Sequence, residues 1–186
     1  MEQNEVLKAL QRDHAAELKL AAERLKGTAR HTAIIPSKVL SDMTGHEILL
    51  KPENLQVTGS FKIRGAYNKI ASLSDEQLAR GIVTASAGNH AQGVAYAARE
   101  RGAKATICMP QITPPLKVDA TKAYGADVVL YGEVFDESAA RAQELSDTEG
   151  MIYVPPFDDY EVLCGQGTIG PVSYTHLRAH ETSQDL

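Results

Sequence analysis

One lysine in this chain stands where an amine could do covalent chemistry. The stretch Thr58-Gly-Ser-Phe-Lys-Ile-Arg-Gly65 sets Lys62 at the start of an amphipathic run, between small residues and an aromatic. Most lysines are solvated surface groups, but an amine near a helix N-terminus is less easily protonated and stays nucleophilic. Lys62 is therefore the candidate Schiff-base nucleophile and catalytic base, able to attack an aldehyde and then to take a proton. Phe61 offers a flat face for a ring, and Gly59, Ser60 and Gly65 are expected to let a planar ligand approach the backbone. A second block, Ser86-Ala-Gly-Asn-His-Ala-Gln-Gly93, follows the apolar run Gly81–Ala85 and opens a helix-like stretch. Amides at such a start point at a bound anion. Asn89 could equally cap that helix, since its side chain bonds locally.

These blocks need a frame, and the hydrophobic pattern supplies one. Glu5–Lys26 carries Val6, Leu10, Leu18, Ala22 and Leu25 at helical spacing and stops at Gly27. From Ser60 the pattern alternates: helices over 60–72, 90–101, 116–124 and 135–149, and strands over 81–85, 104–109, 127–130 and 151–154. Short strands alternating with helices predict an α/β fold of parallel strands with helices on both faces. Gly102, Gly125 and Gly150 each stand between a helix and the next strand, as C-terminal cap residues do.

Together the blocks closely resemble the threonine dehydratase family of pyridoxal 5'-phosphate enzymes. The resemblance covers His31 to Gly170 and includes Lys51-Pro-Glu-Asn-Leu-Gln56, Pro110–Val118 and Gly165-Gln-Gly-Thr-Ile-Gly170. It implies a fold-type-II scaffold of two α/β domains with the cofactor between them, and dehydration of threonine, often of serine, to a 2-oxo acid and ammonia. Residue by residue, it implies that Lys62 carries the cofactor, Phe61 stacks on it, and Asn89 bonds its ring hydroxyl oxygen. Ser86, Ala87, Gly88, Asn89 and His90 become the loop for the substrate carboxylate, bound largely through backbone amides, with His90 shaping the loop. The same resemblance places a serine at position 87 in serine racemases and makes the full-length form a homo-oligomer. Ala33 departs from the family, whose members have proline there. Two other readings stand beside it: a racemase or sulfhydrylase on the same scaffold, and a non-catalytic domain that binds a small ligand. Sulfhydrylases read Ser-Gly-Asn-Thr-Gly in the second block, and His90 after Asn89 speaks against them.

Competing motifs weigh less. Gly165–Gly170 fits G-x-G-x-x-G, yet a proline loop rather than a strand precedes it, and the acidic residues that follow, Glu181 and Asp185, fall in the stretch 171–186 that reads as non-native, so it is not a dinucleotide site. Lys51 and Glu53 read as strand-end charges and Arg64 as structural. A net charge of −5 argues against nucleic acid. No apolar run reaches membrane length, and Cys108 and Cys164 share no metal or disulfide spacing, which suits a cytoplasmic setting with an amino acid as the small-molecule partner.

Size and ending point the same way. At 186 residues the chain has the length of one domain, where this scaffold needs roughly twice that. Residues 1–57 are expected to begin the larger domain, 58–150 to form the smaller, and 151–170 to return to the larger. Pro171–Thr182 has no apolar period, and Val172–Thr182 reads like translated sequencing-adapter DNA, so 171–186 is expected to be a non-native tail. His176 and His180 within it sit at helical metal-ligand spacing without further ligands, and no metal site is expected.

Overall fold

A computed structural model describes residues 13–171 and Ser173. The start of the expected first helix, His176 and His180 lie outside these residues. Helix α1 spans His14–Arg24, with the Asp13 carboxylate accepting from the Ala16 amide. A two-stranded antiparallel ladder follows, β1 Ile35–Pro36 on β2 Leu49–Leu50, with helix α2 Lys38–Thr44 between them. After a short 3-10 turn at Glu53–Leu55 comes α3, Lys62–Ala71, and then α4, Asp75–Ala79.

The centre is a four-stranded parallel sheet: β3 Ile82–Ala85, β4 Ala105–Met109, β5 Asp127–Leu130 and β6 Ile152–Tyr153, in the order β5-β4-β3-β6. The crossovers are α5 Asn89–Glu100, α6 Pro115–Lys122 and α7 Phe135–Glu149, and α8 Tyr160–Gly167 follows β6. Alternation within a strand assigns the faces. Ile82, Ile107 and Met109 pack with Ile70, Val94 and Val118 on one side, while Val83, Ala85 and Cys108 pack with Ala142 and Leu145 on the other. Both faces are buried, which is why the strands read as continuous apolar runs. The expected fold class is the one observed. Gly102, Gly125 and Gly150 have φ of +69°, +90° and +71°, left-handed values that end each helix.

This strand order decides where a ligand goes. From β3 the chain moves outward through α5 to β4 and α6 to β5, then α7 returns across the other face to β6, beside β3. The winding reverses between β3 and β6, and the crevice beyond the C-terminal ends of two such strands is where open α/β sheets bind ligands. Ser86 leaves β3 there and Val154 leaves β6.

Candidate active site

Lys62 is the first residue of α3, and Phe61 before it offers the helix no side-chain cap. The amine reaches the switch point, donating to the Pro156 carbonyl at 2.7 Å, and lies 5.6 Å from the Phe61 ring centroid. Burial lowers its proton affinity from that of an ordinary lysine.

Opposite stands the start of α5. Gly88 occupies the cap position and Asn89 is the first helical residue, so Asn89 is not the cap that its residue type allowed. Its side chain is exposed. The Ser86 hydroxyl accepts from the Gly88 amide at 3.2 Å, and the Ser86 amide donates to the Cys108 carbonyl at 3.1 Å. Those two amides are used internally. Those of Ala87, Asn89 and His90 have no partner among the described residues and remain as donors at the helix N-terminus. The expectation of a loop that works through its backbone thus narrows to these three amides.

His90 is 3% exposed and its Nε2 lies 3.1 Å from the Val154 carbonyl. A carbonyl only accepts, so Nε2 carries the proton and Nδ1 is a bare acceptor with no partner among the described residues. Burial pushes the imidazole down to about 4, against a weaker upward pull from Val154, so it is neutral near pH 7. His90 ties the first turn of α5 to the chain just beyond β6.

Three sequence readings need correction. Gly65 does not serve ligand approach: a Cβ there would fall 2.6 Å from Gln166 Nε2 and 2.8 Å from the Val162 carbonyl. It lets α3 cross α8 closely, and Gly165 does the same from the other side, where a Cβ would lie 2.4 Å from the Arg64 carbonyl. Half of the G-x-G-x-x-G run is therefore helix α8 packed on the lysine helix. Glu53, read as a strand-end charge, is a buried junction. It accepts from Arg64 Nε at 2.7 Å, Arg64 Nη2 at 3.0 Å and Thr32 Oγ1 at 2.9 Å, and Arg64 Nη1 also donates to Thr168 Oγ1 at 3.3 Å. Sequence reasoning missed it, although the charges in Lys-Pro-Glu and Lys-Ile-Arg flank one aromatic turn. Lys51 donates to the Thr32 carbonyl beside this junction.

The residues at the switch point fit a flat, anionic aldehyde. The buried Ser60 hydroxyl, two residues before Lys62 in the chain, has no partner among the described residues, and a Cβ added at Gly88 or Gly59 would meet nothing within 4 Å. Free donors, an unpaired acceptor and one half-buried amine near the C-terminal ends of two parallel strands are groups a cofactor site draws on. Residues 25–177 match the family model described as pyridoxal-phosphate dependent enzyme, and the chain belongs to that family. L-threonine ammonia-lyase of Thermotoga maritima is 54% identical over 154 residues, 83% of this chain and 38% of that protein. Among solved structures, threonine deaminase isoform 2 of Solanum lycopersicum superposes with a TM-score of 0.80 at 42% identity, over 92% of this chain and 46% of that one. Maize serine racemase superposes with a TM-score of 0.84 at 31% identity, over 88% of this chain and 50% of that one. The chain thus spans about two-fifths of the length of the first curated relative. Among the described residues no helix is long and apolar enough to cross a membrane.

Proposed function

We propose that the chain belongs to a pyridoxal-phosphate-dependent threonine ammonia-lyase, which converts L-threonine, and L-serine as well, to 2-oxobutyrate or pyruvate and ammonia. The observation that carries this is that the Lys62 amine and the His90 side chain, from the start of α5, end on the same stretch, Val154–Pro156, at the switch point. The identity to L-threonine ammonia-lyase supports the substrate. Lys62 would hold the cofactor, Phe61 would lie against its ring, and Asn89 would bond its ring oxygen. When bound, the cofactor supplies an electron sink that makes the α-proton of an amino acid labile. The chain's own groups do the rest. Lys62, easily deprotonated because it is half-buried, takes the α-proton on one face. The substrate carboxylate lies on the amides of Ala87, Asn89 and His90, within the loop Ser86–His90, where the positive end of α5 favours an anion. The neutral His90 adds no charge to compete for it.

Ala87 separates lyase from racemase. Racemisation needs a second group to return a proton from the opposite face. The resemblance puts serine at that position in racemases, and alanine has no proton to give. The same reading makes 58–150 the smaller unit and 1–57 and 151–170 parts of a larger one, in a cytoplasmic homo-oligomer. Cys108 and Cys164, both buried and neither in a disulfide among the described residues, suit such a reducing setting.

Borohydride reduction of a protein of its relatives' length with pyridoxal phosphate should fix the label on the peptide containing Lys62, and Lys62→Ala should abolish both label and turnover; the 186-residue chain itself should be inactive or poorly active. Label on Lys51 or Lys69 overturns the assignment. A protein of its relatives' length, fed L-serine, should release pyruvate with almost no D-serine, and Ala87→Ser should raise the racemised fraction.

A further inference from the structure

Two side chains from different helices end on one short stretch of main chain. The Val154 amide closes the β6 ladder by donating to the Val83 carbonyl at 2.9 Å, and the Val154 carbonyl faces His90 Nε2 at 3.1 Å. Two residues on, the Pro156 carbonyl accepts from Lys62 Nζ at 2.7 Å. Pro155 and Pro156 lack an N–H, and their rings fix φ. A residue that precedes proline is confined to extended backbone, which applies to Val154 and to Pro155. The stretch cannot coil to satisfy its own carbonyls, so they stay available to groups from outside. Neither α3 nor α5 has a side-chain cap to fix its first turn.

We propose that Val154–Pro156 is the positioning element of this site: a proline-stiffened pair of carbonyls that sets the Lys62 amine and the His90 imidazole, and through His90 the first turn of α5. Its importance for catalysis rests on Lys62 being the reactive amine, as proposed above. Its geometry does not. The stretch is anchored to β3 at one end and runs toward α8 at the other, whose Asp159 carboxylate caps it by accepting from the Val162 amide at 3.0 Å. Lys62 is held at an orientation that solvent alone would not impose, and burial keeps its amine easy to deprotonate. Pro156 does not touch substrate in this scheme; it acts through Lys62.

The test uses the 186-residue chain without cofactor, so its outcome is independent of the proposed activity. Nitrogen-15 NMR of histidine-labelled protein should show His90 as the Nε2–H tautomer with bare Nδ1. The Nδ1–H tautomer overturns the proposal. Acetylation of Lys62 across pH, read peptide by peptide against Lys38, whose side chain is 86% exposed, reports the amine's surroundings. Freeing the segment with Pro155→Gly/Pro156→Gly should let the amine swing into water. The pH profile of its acetylation should then move upward toward that of Lys38. A folded double variant with an unmoved Lys62 profile overturns the proposal. Should that variant not fold by circular dichroism, Pro155→Ala releases one constraint and carries the same comparison. His90→Ala should also move the Lys62 profile, and His90→Gln, whose amide can donate to the Val154 carbonyl, should restore it; equal profiles for the two overturn the coupling. Failure of pyridoxal phosphate to attach to Lys62 would sink the proposed activity and leave these results standing.

Discussion

The two sides of helix α3 handle polar groups in opposite ways. On one side Arg64 and Glu53, with side chains only 4% and 11% exposed, form a two-pronged ion pair whose spare capacity is taken up by Thr32, Gln56 and Thr168. On the other, two residues away, Lys62 reaches the Pro156 carbonyl, two residues from the Val154 carbonyl that faces His90, and His90 Nδ1, the Ser60 hydroxyl and the amides of Ala87, Asn89 and His90 have no partner among the described residues. Unpaired buried polar atoms cost stability, so each of them, Thr84 Oγ1 and Gln166 Nε2 included, calls for a partner from elsewhere. The satisfied side holds the helix; the other is the side proposed to bind. Charged residues of the same run, Lys62 and Arg64, therefore belong to different jobs, and the difference lies in who answers their hydrogen bonds.

That contrast breaks most visibly at the ion pair. Arg64→Met strands the Glu53 carboxylate in the interior, and removing one member of a buried pair costs about 3–5 kcal/mol. Urea unfolding should show it. The matching change across the helix, Lys62→Met, should alter stability by no more than about 1 kcal/mol, because folding already disfavours its charge. Equal losses from both would erase the distinction between the two sides.

Acid should weaken the fold through both regions, in separate windows. His90 in the folded protein is pushed down to about 4 from an ordinary 6.5, so between these values the unfolded chain binds the extra proton. Stability therefore falls as pH drops through that window, by up to about 3 kcal/mol from this residue alone. His90→Gln should flatten the decline. Glu53 responds lower. Burial pushes its carboxyl up, but the bonds from Arg64 and Thr32 outweigh that and hold it below the ordinary carboxylate value. Its contribution is present above the unfolded value near 4.5 and is lost as pH falls through the depressed one. A stability profile flat from pH 6.5 to 4 would contradict the buried, neutral His90.

Glycines sharpen the same contrast on a smaller scale. Gly165→Ala forces a methyl to 2.4 Å from the Arg64 carbonyl and should cost about 1–3 kcal/mol as α8 is pushed from α3. Gly88→Ala meets nothing within 4 Å and should change the melting midpoint by less than the equivalent of about 1 kcal/mol. Its effect should fall on cofactor binding instead, measured by absorbance titration.

Much of the fold was legible because local periodicity is strong where both faces of a sheet are covered. The runs 81–85 and 104–109 and the helix at 135–149 follow from apolar spacing and from Gly102 and Gly150, which only left-handed backbone explains. Short elements were not. Helices α4 and α8 and the β1–β2 ladder carry too few residues for a period to register, and α8 begins inside a stretch that reads as a proline loop. The chemical types of the site residues, Lys62 and the Ser86–His90 block, were likewise visible, since an amine and small residues announce themselves by identity.

What the sequence determined by itself is the set of actors: one lysine beside an aromatic, one glycine-containing helix start, and an α/β scaffold to hold them. Their assembly is a tertiary matter. Gly65 and Gly165 lie a hundred residues apart, and only the crossing of α3 and α8 shows that each is small for the other's sake. Glu53 became a buried junction because Arg64 folds back onto it, and no local pattern encodes that approach. The tautomer of His90 and the resting place of the Lys62 amine depend on Val154 and Pro156, brought alongside by β6 pairing with β3. Periodicity is a property of neighbours along the chain; hydrogen-bond satisfaction is a property of neighbours in space, and it decided which charges hold the protein together and which are free to act.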